Sequence, residues 1–554
     1  MAAIDHVIVL VLENRSFDHV LGYLDHPDPA FDGLLTGGPH TNPGWDSGPA
    51  VAASPDAKPV LPLDPDHSHD AVLEQLAVQG SGAHRQATNQ GFVSSFERKC
   101  RGLAPASFGG LLGPLLNWWT HRAGAPSTPS AGRGPLAMLC QPPQQVPVLA
   151  TLAREYAVCT RWFSSLPGET WPNRNFLHAA TSDGDTDIEP RFYTDRTIFE
   201  LLEEHGRDWH VYHDDTPQLW AFPKLWDTPQ RHAKWFEFTA FAQHAAAGTL
   251  PAYSFIEPNH RPPLHTLDHA PLIGAPDVSD SQHPGNNLVA DAAYDAFTAD
   301  SDTDFARGEA LIASVYESLR ANPALFERSL LLITYDEHGG LYDHVPPPTG
   351  VPNPGDKRGL GARLGAAICH RTAKSFDFTM LGVRVPAVVV SPYVAAGTVC
   401  TDVHDHASVP ATLRAIFAPD AEPLTRRDAW ATPFHQVLGL AEPRSGQELP
   451  DLSGHTLATN ASATQPARAL ASTAKSLAAP PDSVPVPPHA KDFAEQADRV
   501  WALLKQAGEP EMKLPIAPDG TAQRALQISD AFTLAAQRHR SNEAEAETDA
   551  GTNG

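Results

Sequence analysis

The sequence predicts an α/β fold, a mostly parallel sheet with helices between its strands. Continuous apolar runs of strand length recur at residues 4–12, 253–256, 329–334 and 383–390, as strands buried on both faces require. Segments with apolar residues at helical spacing lie between them, and that alternation builds an α/β sheet. Two of the apolar runs also end in clustered acidic and amide residues, where sheets of this class bind ligands.

Taken in order, the first strand is residues 4–12, closed by Glu13 and Asn14. A helix is expected over 148–156, just before the stretch 163–174. The clearest helix spans 302–322: Phe305, Ile312, Val315 and Leu319 share one face, and Asn322-Pro323 ends it. Residues 25–65, 102–134 and 346–361 are rich in Pro and Gly and read as loops. The second of these carries Trp118 and Trp119, as an active-site lid or as a loop packed on the core. Residues 1–450 are expected to form the catalytic domain. An Ala/Ser/Pro-rich linker (451–490), a short helical region (491–540) and a disordered acidic tail (541–554) follow it. There is no internal repeat.

The 554 residues carry 40 Lys+Arg against 65 Asp+Glu, a formal charge of −25. That excess argues against a nucleic-acid partner, which needs a basic face. No apolar run approaches the roughly 18 residues of a membrane span, and no basic segment precedes the first run as in a signal peptide. The expectation is a cytoplasmic chain, with export by a trimmed leader left open. The five cysteines are odd in number, sparse and without CxxC spacing, which argues against a disulfide framework or a structural zinc site.

The first run leads into Glu13 and Asn14, and the third leads through Tyr335 into Asp336 and Glu337. If both strands share one parallel sheet, three carboxylates and an amide oxygen converge into a hard site for one divalent cation. Capping of turns is the plainer reading of either pair alone. Gly168-Glu169-Thr170-Trp171-Pro172-Asn173-Arg174 forms a turn into a helix, with Thr170 near the helix N-terminus, where backbone amides favour an anion. A threonine there is either a cap or a nucleophile activated by a metal. Arg174 either binds phosphate or pairs with a buried acid. Asp343-His344 and Asp405-His406 are candidates for ligands, for supports of the metal carboxylates, or for turns.

These stretches, with residues 385–393 and 405–408, resemble in order the bacterial phosphoesterase family of non-haemolytic phospholipases C and acid phosphatases. The resemblance covers roughly residues 1–420. It implies a three-layer α/β/α sandwich of the alkaline-phosphatase-like type. It implies Glu13, Asn14, Asp336 and Glu337 as metal ligands and Thr170 as nucleophile and further ligand. It also implies His67 and His283 as groups that hold phosphoryl oxygens or protonate the leaving group. Trp171 stands where Asp is frequent, His69 where an aromatic is frequent, and the insert between Gly285 and Gly308 is long. The region beyond about Pro450 lacks the β-rich tail of some secreted members.

The expected activity is metal-dependent phosphoester hydrolysis through a phospho-threonine, of the phospholipase C type. An acid-phosphatase-type monoesterase and a catalytically silent metal-binding protein are the alternatives. The metal's identity is open among Ca²⁺, Mg²⁺, Mn²⁺ and Zn²⁺, as are the leaving alcohol and the oligomeric state.

Overall fold

A computed structural model describes residues 4–80, 85–103, 130–188, 192–214, 217–260, 279–298, 303–355 and 376–457. The Trp118-Trp119 segment, Cys369, most of the expected linker, the C-terminal helices and the tail lie outside them.

The core is one eight-stranded sheet. In chain order its strands are β1 (His6–Leu12), β2 (Ala157–Cys159), β3 (Trp209–His213), β4 (Trp235–Glu237), β5 (Tyr253–Ile256), β6 (Ser329–Tyr335), β7 (Ala387–Val390) and β8 (Thr398–Cys400). They lie side by side as β8-β2-β7-β6-β1-β5-β3-β4. Seven run in one direction and β7 is reversed. The sequence reading had grouped residues 383–390 with the parallel strands, so this direction is a correction. The cause is the connection: the chain leaves β6 at its carboxyl end and returns into the sheet from that same end.

Strand β6 is buried at every position and β1 at all but His6, which requires cover on both faces. Helices Pro147–Glu155, Thr239–Ala247 and Asp304–Arg320 pack together as one layer. Helices Thr170–Ala179, Ile198–Glu204 and Ser408–Phe417 form the other. The α/β/α layering is therefore the expected one. The long expected helix forms over Asp304–Arg320, with Thr303 accepting from the Ala306 amide as N-cap and Asn322 capping the next short helix. Among the described residues, no helix is long and apolar enough to cross a membrane.

Beside β1 and β7 lies a closed charge cluster. Arg384, fully buried, donates from Nη2 to Asp18 (2.8 Å) and from Nε to both oxygens of Asp343 (3.1 Å). His344 Nδ1 stands 2.7 Å from Asp18 Oδ2 and its Nε2 3.2 Å from Asp32. Asp343-His344 is thus a structural support. Burial pulls the His344 imidazole down, but its bonds to Asp18 and Asp32 outweigh burial and lift it to about 10. A group raised on folding stabilises fully below its unfolded value near 6.5, and that stabilisation fades as pH climbs through the folded value. Unfolding free energies in urea between pH 6.5 and 10 are expected to decline more steeply for the wild type than for His344→Gln.

Candidate functional site

Three neighbouring strands, β6, β1 and β5, end side by side, and each runs into a carboxylate. Strand β1 delivers Glu13 and Asn14, β6 delivers Asp336 and Glu337, and β5 delivers Glu257. The first two pairs therefore converge as the sequence suggested. The Asn14 amide donates to Asp336 Oδ1 at 3.0 Å. Asn14 holds φ at 59°, a left-handed conformation that Asn tolerates better than most residues. Gly339, at φ 63°, lies against it: a Cβ there would meet the Asn14 carbonyl oxygen at 2.2 Å. Gly340 abuts Pro65 and Asp66 in the same way, with a Cβ at 2.7 and 2.9 Å. The paired glycines after Asp336-Glu337 thus let the His67 turn close over the strand ends.

Thr170 opens the helix Thr170–Ala179, after a turn in which Gly168 is so tightly packed that a Cβ would lie 2.1 Å from the Thr186 carbonyl oxygen. Asn173 locks the turn, donating to the carbonyls of Gly168 and Glu169 (both 3.1 Å) and accepting from the Leu166 amide. The Thr170 hydroxyl donates to Asn14 Oδ1 at 3.2 Å. The expected nucleophile therefore touches an expected ligand.

Arg174, one turn further along, is fully buried. Its Nε donates to Asp336 (3.0 Å), Nη1 to Glu257 (3.1 Å) and Nη2 to the Val11 carbonyl (3.2 Å), with Glu13 at 3.9 Å. Of the two readings of Arg174, phosphate binding or pairing with a buried acid, the structure has the second: the guanidinium is fully buried on these partners and leaves no surface for a phosphate. The sequence reading named the strand of Glu257 but not the residue, although the same end-of-strand rule finds it. It also missed His260, whose Nδ1 stands 2.9 Å from Glu13 and whose Nε2 stands 3.4 Å from Glu257.

His67 and His283 meet edge to face, their ring centroids 5.6 Å apart. His67 Nδ1 stands 3.1 Å from the Pro65 carbonyl, and His283 Nδ1 accepts from the Gly285 amide at 2.9 Å. In both rings it is Nδ1 that meets the backbone. Burial pulls His67 down, but Glu337, Asp64, Glu169 and Asp66 prevail and hold it at about 9. His69 is a tie: its ring reaches the Pro167 carbonyl and packs on Phe376. Trp171 packs on the main core. His406 Nε2 meets the Asp336 carbonyl at 2.6 Å, and Asp405 pairs with Arg427 at 2.9 Å, so Asp405-His406 supports the site from behind.

The donors are of the oxygen type that a hard cation takes. The Glu337 carboxylate keeps one buried oxygen, Oε1, without a hydrogen-bond partner. Burial, reinforced by Glu13 and Glu337, pushes Asp336 up to about 7 in spite of Arg174.

The phosphoesterase family model matches residues 4–418. Non-specific phospholipase C3 of Arabidopsis thaliana is 33% identical over 462 residues, 79% of this chain and 74% of that protein. Phospholipase C A of Mycobacterium tuberculosis is 26% identical over 473 residues, 77% and 75% of the two chains. A solved protein of the alkaline phosphatase superfamily from Vibrio parahaemolyticus aligns over 55% of this chain and 67% of its own, at 11% identity and a TM-score of 0.28.

Replacing Arg174 by Leu strands Asp336 and Glu257 as buried charges without their counter-ion. The expected loss is about 3–5 kcal/mol of stability, measured by urea unfolding.

Proposed function

This chain belongs to the phosphoesterase family and is a hydrolase of phosphoric ester bonds; on that premise we propose that it cleaves phosphodiesters in the manner of a phospholipase C, with Thr170 as nucleophile. The observation that carries the reading is the contact of the Thr170 hydroxyl with Asn14 amid Glu13, Asp336 and Glu337 at the strand ends. The preference for a diester is supported by the phospholipase C names of the plant and bacterial relatives.

Glu13, Asn14, Thr170, Asp336 and Glu337 would hold one divalent cation. Bound there, it supplies Lewis acidity and lowers the cost of a threonine alkoxide.

The remaining work falls to the protein's own groups. A phosphate ester repels nucleophiles through its charged oxygens, so catalysis rests on positioning and charge neutralisation. Thr170, at the first position of its helix, presents its oxygen where free backbone amides also point. Arg174 and Asn173 fix that helix end against the sheet. His67, held charged well above neutrality by its carboxylate neighbours, neutralises a phosphoryl oxygen. His283 is placed to hold a second oxygen through Nε2. Attack by Thr170 Oγ1 on phosphorus forms a phospho-threonine ester and breaks the bond to the leaving alcohol; the threonine proton passes to solvent, and the alcohol takes a proton from one of the two imidazoles, which regains it from the water that attacks in the second step. Water then attacks the phospho-threonine, returning the threonine hydroxyl and releasing the phosphorylated product with net retention at phosphorus.

Turnover of p-nitrophenylphosphorylcholine and p-nitrophenyl phosphate tests the reading. Wild-type protein is expected to prefer the diester, to lose activity on chelation and to regain it when a divalent metal is restored. Thr170→Ala should lower kcat at least about a thousandfold on either ester. Preference for the monoester would move the chain to the phosphatase branch, and near-normal turnover by Thr170→Ala would refute the covalent route. For His67→Gln the slower step should show mainly in kcat, by about a hundredfold.

A further inference from the structure

We propose that Cys159, Cys400 and His404 form a second, soft-metal site at the edge of the sheet, suited to zinc or another thiophilic cation. Cys159 ends β2 and Cys400 ends β8, and the two are direct partners in the parallel register. The chain then turns, and His404 comes back beside Trp162 in a two-residue parallel pairing. One ligand atom from each of the three side chains lies within 4.8 Å of the other two. His404 Nε2 stands 3.4 Å from Cys400 Sγ. Zinc bonds of about 2.3 Å to sulfur and 2.0–2.1 Å to nitrogen, spread at the tetrahedral angle, set those two atoms about 3.5 Å apart. His404 and Cys400 are thus already spaced as two ligands of one zinc ion, with Cys159 in reach as a third.

The imidazole is oriented as a ligand. His404 Nδ1 lies 3.0 Å from the Thr432 carbonyl, so the ring proton sits on that nitrogen and the Nε2 lone pair faces sulfur. Trp162 stacks on the ring at 5.2 Å and 22°, fixing its plane.

A second trio, Asp18, Asp343 and His344, is equally compact. There Arg384 already supplies the positive charge, so that group is complete without an ion. The spacing of Cys159 and Cys400 in the chain hides their site from motif reading, contrary to the sequence expectation of no structural zinc. A cation there would fasten the edge strand β8 to residues 404–406, two of which brace the catalytic strand ends.

The test is Co²⁺ titration of the full, reduced, metal-stripped chain. A sulfur-to-cobalt charge-transfer band in the near ultraviolet is expected, since no thiolate lies among the residues proposed for the catalytic cation. The band should persist in Glu337→Gln and Cys369→Ser and vanish in Cys400→Ser. Zinc should displace cobalt and raise the Tm of the wild type by several degrees, with no rise in His404→Gln, which serves as the comparison if Cys400→Ser does not fold. Absence of the band in the wild type, or its survival in folded Cys400→Ser, would overturn the proposal.

Discussion

Everything at the catalytic end of the sheet depends on one buried guanidinium. Arg174 projects from the helix that begins with Thr170 and bonds the ends of β6, β1 and β5 through Asp336, the Val11 carbonyl and Glu257. Three adjacent strand ends and one helix are thereby held as a unit. Carboxylates brought this close repel one another, and one buried arginine offsets only part of their charge. Burial together with Glu13 and Glu337 pushes Asp336 up in spite of Arg174, and a cation at the strand ends, as proposed above, would offset that push.

The device recurs. Arg384 joins Asp18, just after β1, to Asp343, just after β6. Arg427 joins Asp405 to the carbonyls of Ser165 and Phe378. Buried pairs of this kind are poor sources of net stability, because desolvation offsets most of their attraction, but breaking one is costly. Their value here is directional: each fixes a loop after a strand end, where regular hydrogen bonding has stopped.

The two glycines after Glu337 show how local backbone freedom enters the same design. Gly339 gives room to Asn14 and Gly340 gives room to the His67 turn. A side chain at Gly339 would displace Asn14, and one at Gly340 would displace the turn that carries His67. Tight turns and close approaches thus bring residues far apart in the chain into one small space.

The sequence by itself determined the sheet class, the long helix and the convergence of Glu13, Asn14, Asp336 and Glu337. Apolar periodicity and strand-end polarity are local properties, and they survive into the fold unchanged. The helix start at Thr170 was legible for the same reason, since Pro172 and the preceding Gly168 act within a few residues. Roles for His67 and His283 came from family resemblance, because a lone histidine has no local signature. Only the tertiary structure decided that Arg174 faces acids and not substrate, that β7 runs against its neighbours, and that Glu257 and His260 join the site. It alone placed Cys159 opposite Cys400. Each of these is a pairing between distant segments, set by how strands order themselves in the sheet, and no spacing along the chain encodes that order.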